Sequence, residues 1–136
     1  MDFSKSLSVI ASGMRVQSER MKIIAENLAN ANSTAATQGG DPYRRKIATV
    51  SNDFDRELGA NLVKAGKPIT DNSDFRTRYD PGNPLADAKG YVKLPNVDGL
   101  VEAMDMREAQ RAYEANLNVI ETSRAMDMRT LDLLKR

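Results

Sequence analysis

Three oxygen-bearing side chains in the middle of the chain have the types expected of a calcium site, but not its full pattern. Asp71, Asn72 and Asp74 lie within four residues, and calcium-binding loops alternate such ligands before a glycine at a sharp turn. Phe75 stands where the spacing of ligands and glycine would have to continue. The segment therefore does not predict a metal site, and we expect no cofactor.

Catalytic chemistry has few residues available. The chain contains neither Cys nor His, which excludes cysteine nucleophiles, most zinc sites, serine triads and imidazole acid–base catalysis. A pair of carboxylates could in principle hydrolyse a glycosidic bond, but no carboxylate lies in a recognisable motif and no aromatic platform for a sugar is visible. A carboxylate hydrolase is the poorest hypothesis, and we predict a protein that is not an enzyme.

The charge and composition also limit the partners. The chain has 20 Lys and Arg against 19 Asp and Glu, a formal net charge of +1, whereas a nucleic-acid-binding protein shows a basic excess. Aromatic residues make up only 5% of the chain and Trp is absent, so the apolar residues are mainly those that pack between helices. No stretch approaches the roughly 20 apolar residues of a membrane span. The short apolar run near the N-terminus does not resemble a cleaved signal peptide.

Helices at the two ends must position any functional surface. Residues 3–31 contain no proline and carry a seam of residues spaced alternately four and three apart, the heptad pattern of a left-handed supercoil. Gly13 is either a tolerated glycine or a point of close approach by a neighbouring helix. The helix should end near residues 30–32, where Asn favours a left-handed cap. The seam is Phe3, Leu7, Ile10, Met14, Gln17, Met21, Ile24, Leu28 and Ala31.

A second helix is predicted over residues 97–134, again without proline. Its apolar stripe is less regular than the first, because Arg124 falls on it and several methionines lie on other faces. A helix that is apolar on more than one side requires more than one partner. The stripe is Leu100, Val101, Met104, Tyr113, Leu117, Ile120, Leu131 and Leu134.

The segment between the helices has the signals of a small, loop-rich β element. Residues 33–42 form a loop of small residues, and strand-like residues follow at 43–50, around 62–69 and at 75–79, with typical turn residues between them. The polar residues 53–57 are predicted as a short helical turn, and the run 80–84 marks another loop. The segment has too few apolar residues to fold robustly alone.

The predicted fold is mainly α, with the N- and C-terminal helices in an antiparallel coiled-coil-like hairpin and a small loop-rich β insert between them. The discontinuous helical core spans residues 1–34 and 96–136, and the insert spans 35–95. Burial of nine seam positions along one interface does not by itself offset the conformational entropy lost when about thirty residues become ordered. A lone helix pair is marginal, so we expect copies to pack side by side and the termini to become fully ordered on assembly.

Both ends of the chain, and much of its middle, resemble one protein family. Residues 11–34 resemble the N-terminal motif of flagellar rod and hook proteins, and residues 106–120 look like their C-terminal motif. Residues 41–46, 75–84 and 88–97 are similar to segments of the FlgC proximal-rod family, while 35–40 and 51–72 match less distinctly. On these motifs the chain is identified as a member of the flagellar basal-body proximal-rod FlgC family.

That resemblance implies a function that the residue pattern does not supply. Rod subunits stack helically into a hollow drive shaft that transmits torque and passes export substrates, and their terminal helices form its inner core. Implied partners are copies of the chain, other proximal-rod proteins, the rod–ring adaptor, the membrane-ring protein and distal-rod proteins. The resemblance also implies export by the flagellar type III apparatus without a cleaved signal, and a place in the basal body within the periplasm.

The residues expected at subunit interfaces combine the helix stripes with two polar clusters. The amides of Asn27 and Asn30 are either solvated at a helix end or hydrogen-bonded between subunits, and we favour the second interpretation. Arg44 and Arg45 either lie on a solvated strand edge or contact an acidic neighbour. The full predicted interface is Leu7, Ile10, Gly13, Met14, Met21, Ile24, Asn27, Leu28, Asn30, Arg44, Arg45, Met104, Tyr113, Leu117, Ile120, Met128, Leu131 and Leu134.

A soluble helical adaptor or export chaperone is the alternative hypothesis, since the same amphipathic helices could hold a partner. A chaperone should be folded and monomeric or dimeric when dilute. A rod subunit should instead gain helicity as it polymerises.

Overall fold

The computed structural model describes residues 2–136 and contains two long helices with six short strands between them. The helices are α1, Phe3–Ala29, and α2, Gly99–Leu134. The strands are β1 Lys46–Ile47, β2 Val50–Asp55, β3 Ala60–Ala65, β4 Ile69–Thr70, β5 Arg76–Tyr79 and β6 Tyr91–Leu94. The prediction of two terminal helices with a small β insert between them is confirmed. Over residues 2–136, neither helix combines the length and the apolar character that crossing a membrane requires.

Helix α1 ends slightly earlier than predicted, and by a different device. The Asn30 side-chain amide donates to the Glu26 carbonyl (2.8 Å), and the Ser33 hydroxyl donates to the Asn30 carbonyl (2.9 Å). These bonds satisfy backbone oxygens that the end of a helix leaves free. Among the described residues only glycines have a positive φ, so the predicted left-handed Asn cap was wrong.

Asp98 caps helix α2, which begins two residues later than predicted. Its carboxylate oxygen Oδ1 accepts hydrogen bonds from the backbone N–H groups of Leu100 (2.9 Å) and Val101 (3.3 Å). Donors in the first turn have no partner within the helix, so a side-chain acceptor at this position stabilises its start. The cap also fixes the place of Glu102 in the first turn.

The strands form three separate antiparallel pairs: β1 with β4, β2 with β3 and β5 with β6. The strand predicted around 62–69 is two strands, β3 and β4, which pair with different partners. Strand β6 was not predicted. Its side chains alternate between exposed and buried, and Val92 and Leu94 point into the core.

The polar segment 53–57 forms the end of β2 and a tight turn, so the predicted helical turn was wrong. Asp55 Oδ1 accepts hydrogen bonds from the backbone N–H groups of Glu57 (2.9 Å) and Leu58 (3.1 Å). Gly59, with φ of 61°, then leads into β3, a conformation that glycine adopts without strain. An aspartate that binds its own turn favours a hairpin over a helix.

The structure divides into two compact units. The hairpin unit comprises the described residues up to Met21, together with Val50–Gly66 and Arg107–Arg136. The polar unit comprises Lys22–Thr49 and Lys67–Met106. Each unit therefore combines part of both helices with part of the intervening segment.

In the hairpin unit, α1 contacts both the β2–β3 hairpin and α2. The Val63 backbone N–H donates to the Ser12 hydroxyl (3.3 Å), and Arg20 pairs with Glu108 (3.5 Å). A Cβ atom on Gly13 would lie 3.5 Å from Asn116 Nδ2, which is ordinary van der Waals contact. Helix α2 thus comes close to Gly13 within the chain, but the approach leaves room for a methyl group.

Replacing Asp98 by Ala should destabilise the chain by about 1 kcal/mol, because N–H groups at the start of α2 lose their acceptor. Asp98→Asn keeps a side-chain oxygen at the cap and should cost only a few tenths of a kcal/mol. Urea unfolding followed by circular dichroism measures both values. Equal losses in the two variants would contradict the capping role.

Candidate functional site

Asn27, in the last turns of α1, is the centre of a buried hydrogen-bond network in the polar unit. Its side chain is 1% exposed. Its amide nitrogen donates to the Lys46 carbonyl (2.8 Å), and its amide oxygen accepts from the Lys46 N–H (2.9 Å). Lys46 begins β1, so the asparagine amide satisfies its peptide groups as a neighbouring strand would. This pairing ties α1 to the β1–β4 sheet.

Glu102, in the first turn of α2, brings a buried carboxylate to the same network. It is 1% exposed. Its oxygens accept from Asn27 Nδ2 (3.2 Å) and from Arg45 Nε. A buried carboxylate is costly unless it is paired and hydrogen-bonded. The position in the first turn of a helix also favours negative charge.

Arg45 connects this carboxylate to others in the polar unit. Besides Glu102, its guanidinium lies 3.5 Å from Asp71 Oδ2 and 3.7 Å from Asp105 Oδ2. The hydrogen bond to Glu102 raises the pKa of Arg45, against the opposing effect of burial. The acidic contacts of Arg45 therefore lie in its own chain. The sequence had suggested either a solvated strand edge or a contact with an acidic neighbouring subunit. Neither interpretation anticipated acidic partners within the same chain.

Asp71, the first residue of the apparent calcium pattern, closes a turn. Its Oδ1 accepts a hydrogen bond from the Ser73 N–H (2.9 Å), and its Oδ2 faces Arg45. The bond from Ser73 is the main reason that the pKa of Asp71 is lowered, and Arg45 adds to the effect. Within residues 2–136, no cluster of acidic side chains is arranged to hold a metal ion.

Tyr43 completes the network from the loop before β1. Its hydroxyl donates to Asn27 Oδ1 at 2.7 Å. Burial, and then the nearby carboxylates of Glu26 and Glu102, raise its pKa to about 12. Lys46 Nζ pairs with Glu26 at 2.6 Å. We call Asn27, Tyr43, Arg45, Lys46 and Glu102 the Asn27 network. In it the amide oxygen of Asn27 accepts two hydrogen bonds and the amide nitrogen donates two.

Arg44 has a different environment from its neighbour. Its guanidinium carbon lies 4.1 Å from the centre of the Phe75 ring, and it donates to the carbonyls of Asp71 (3.5 Å) and Ser73 (3.3 Å). A cation over an aromatic face is stabilised by the ring's negative face. The two arginines that the sequence grouped together therefore serve separate contacts, and the part of Arg44 in an interface stays a prediction.

The other predicted interface residues lie on helix surfaces of two kinds. On α1, Ile24 is buried, while the rest are half-buried: Leu7, Ile10, Gly13, Met14, Met21, Leu28 and Asn30. On α2, Tyr113 and Ile120 are half-buried, while the exposed side chains are Met104, Leu117, Met128, Leu131 and Leu134. The exposed set identifies apolar surface that the described chain leaves uncovered.

Sequence reasoning missed Glu102 and the hairpin. Glu102 is the one carboxylate among Leu100, Val101, Ala103 and Met104. A single carboxylate in an apolar stretch was the signal that could have identified it as a buried residue.

In the hairpin unit, a groove of about 510 Å³ runs between α1 and the β2–β3 hairpin. Phe54 and Val50 of the hairpin are each 58% exposed.

Comparisons with known proteins point to one family. The family model described as "Flagella basal body rod protein" matches residues 7–36, and that described as "Flagellar basal body rod FlgEFG protein C-terminal" matches residues 88–133. The flagellar basal-body rod protein FlgC of Agrobacterium fabrum is 50% identical over 97% of this chain and 95% of its own length. Proteins of the same description from Salmonella typhimurium and Bacillus subtilis are 39% and 38% identical, over 92% and 96% of this chain and 92% and 97% of their own lengths.

Replacing Asn27 by Ala should destabilise the chain by about 2–4 kcal/mol, because several buried polar groups lose their partners together. Asn27→Asp should cost at least as much, since it loses both donors and sets a second carboxylate beside Glu102. Asn30→Ala is the matched control on the same helix end and should cost less than about 1 kcal/mol. Urea unfolding measures all three. Similar losses at positions 27 and 30 would contradict the central role of Asn27.

Tyr43 should make the folded chain sensitive to high pH. Its folded-state pKa is raised to about 12, so its contribution to stability is complete below the ordinary value of about 10. That contribution is lost as the pH rises through 12, because the unfolded chain releases this proton first. Phenolate absorbance should show a component with a midpoint near pH 12 that Tyr43→Phe removes. An unchanged titration curve in that variant would contradict the assignment.

Proposed function

We propose, from the premise that this chain belongs to the FlgC family of flagellar basal-body rod proteins, that its terminal helices build the wall of the proximal rod. The chain is a structural subunit of the bacterial flagellar rod and not an enzyme. The observation that carries the finer proposal is the uncovered apolar surface of α2.

That surface lies in the hairpin unit, where α2 is exposed on all sides after Ser123. Met128 and Leu131 are 63% and 52% exposed, and Leu134 is 78% exposed. An apolar helix surface of this kind requires a partner. In a rod, neighbouring subunits supply it. Leu117, which is 39% exposed, extends the same surface towards the middle of α2.

Two contacts in the hairpin unit support an antiparallel arrangement of the helices. Gly13 lies beside Asn116, and Arg20 pairs with Glu108. From the first contact to the second, the residue number rises by seven on α1 and falls by eight on α2. The two helices therefore run in opposite directions. We propose that this pair forms the coiled-coil-like hairpin of the rod wall. The half-buried seam residues of α1 and the exposed residues of α2 would then meet between subunits, as would Arg44.

We assign residues 1–34 and 96–136 to the helical core of the assembled rod and residues 35–95 to an insert that contacts neighbours further out. The two-stranded sheets of this insert are too small to be stable as isolated elements, which fits a segment that is held by its surroundings. The assembled subunits form a hollow shaft that transmits torque and passes export substrates.

The partners of such a subunit are copies of itself, other proximal-rod proteins, the rod–ring adaptor, the membrane-ring protein and distal-rod proteins. We propose that the rod lies in the periplasm. The chain would be exported by the flagellar type III apparatus without a cleaved signal. The nearly balanced charge of the chain suits packing among copies, since a large net charge would make them repel one another.

Leu117→Asp should reduce incorporation into the rod by at least about tenfold, because it places a charge where apolar surface must be buried. Asn118→Asp adds the same charge at the next residue and should incorporate normally. The full-length variants are expressed in cells that lack their own copy. Export into the medium and content in isolated basal bodies are then measured separately.

Equal incorporation of the Leu117 and Asn118 variants would contradict the α2 interface. A wild-type chain that is absent from isolated basal bodies would contradict the rod function itself. A fully helical, stable monomer that does not scatter light at high concentration would instead favour the soluble adaptor or chaperone.

A further inference from the structure

In the hairpin unit, the last two turns of α2 extend past the start of α1. Gly13 of α1 lies beside Asn116 of α2, and α1 begins ten residues earlier, at Phe3. Because the two helices run in opposite directions, Phe3 lies about level with residue 126 of α2. Met128, Leu131 and Leu134 follow at intervals of three, so they share one side of the helix. They are 52–78% exposed. This overhang of residues 127–134 has an apolar side without a partner among the described residues.

The groove between α1 and the β2–β3 hairpin is the complementary feature of the same unit. It measures about 510 Å³. Its apolar lining includes Val16, which is only 5% exposed, and Leu62. Its charged lining is formed by Arg15, Glu19, Asp53 and Lys64. A concave apolar surface edged by charges of both signs suits an amphipathic helix.

The lengths of the two features agree. The overhang has eight residues, which corresponds to about 12 Å of helix. The α1 wall of the groove runs from Ser12 to Glu19, which is also eight residues and about 12 Å. Two turns of helix therefore fill the groove from end to end.

Their charges agree as well. The charged residues of the groove do not take part in any ion pair with other described residues, and neither do Asp127, Arg129 and Asp132 of the overhang. Both surfaces thus present acidic and basic groups that can meet opposite charges on a partner.

We propose, on the basis of the rod function above, that the overhang of one copy binds in the groove of the next copy. Met128, Leu131 and Leu134 contact the apolar lining, and the charged edges pair across the interface. The two surfaces are different patches of one chain, so the contact is head-to-tail. Repetition of such a contact makes an open helical filament, whereas a self-complementary patch would stop at a dimer. A second copy is therefore the occupant that the assembly requires.

Engineered disulfides test this contact directly, because the natural chain has no Cys. One full-length chain carries Leu131→Cys and a second, with a different tag, carries Lys64→Cys. Both are expressed in the same cells, and isolated basal bodies are mildly oxidised. The mixed disulfide should exceed that of the control pair, Leu133→Cys with Lys64→Cys, by at least about tenfold, since only thiols held close together are joined.

Leu133 is a matched control because it lies two residues away, on a different side of α2, and is 71% exposed. Basal bodies that contain both chains but no excess of the mixed disulfide would overturn this contact and leave the rod function intact. Basal bodies that lack even the wild-type chain would overturn the rod function and the contact together.

A second measurement does not depend on thiol chemistry. Leu131→Asp should lose incorporation into basal bodies, while Leu133→Asp should retain it, and export into the medium should be the same for both. Equal incorporation of the two variants would overturn the proposal.

Discussion

The bidentate pairing of the Asn27 amide with the Lys46 peptide, together with the buried Glu102 beside it, is the constraint on which the polar unit depends. Each group is deep enough that its loss of water must be offset by a hydrogen bond. Only one placement of α1, β1 and α2 provides all the partners. A slip of either helix by one turn would leave a buried carboxylate and an amide unsatisfied. Such polar contacts specify one register more strongly than apolar packing does.

The two units are stabilised by different interactions, since neither contains a large apolar core. The polar unit uses hydrogen bonds and ion pairs around Arg45 and Glu102, and it adds a compact apolar group of Val92, Leu94 and Val97. Among the described residues, the hairpin unit leaves more apolar side chains of α2 uncovered than the polar unit does. Both units leave some apolar side chains exposed, but the longest uncovered stretch lies on α2 in the hairpin unit. Assembly therefore adds most to the hairpin unit.

Periodicity and the absence of proline were sufficient to predict the two helices to within two residues at each end, because a heptad pattern over 27 residues is a strong helical signal. The buried side was harder to predict. Val16, Ile23 and Asn27 are buried, yet each lies one position before a seam residue. Val16 lies in the hairpin unit, where α1 packs against the hairpin as well as α2. Ile23 and Asn27 lie in the polar unit, where Asn27 bonds to Lys46 of β1. One period cannot describe a buried surface with such different partners. A seam that includes only some of the buried residues is the expected result when a helix has several partners.

The small strands and the Asn27 network exceed what local sequence can determine. Asp55 binds the backbone of its own turn, and this local preference overrode the helical appearance of the polar run. Strands of two residues, such as β1 and β4, exist only because a distant segment pairs with them. Asn27 looked like a helix-end residue available to neighbours, and nothing adjacent in the sequence indicates that its partners are Tyr43, Lys46 and Glu102.

The sequence separation of these partners determines when the polar unit can fold. Asn27 and Glu102 are 75 residues apart, and Arg45 and Glu102 are 57 apart. Contacts between distant residues form only after a large loop has closed, which slows folding. Asn27 and Arg45 therefore cannot bond to Glu102 until the start of α2 is present. The register of the polar unit therefore depends on both ends of the chain being present together.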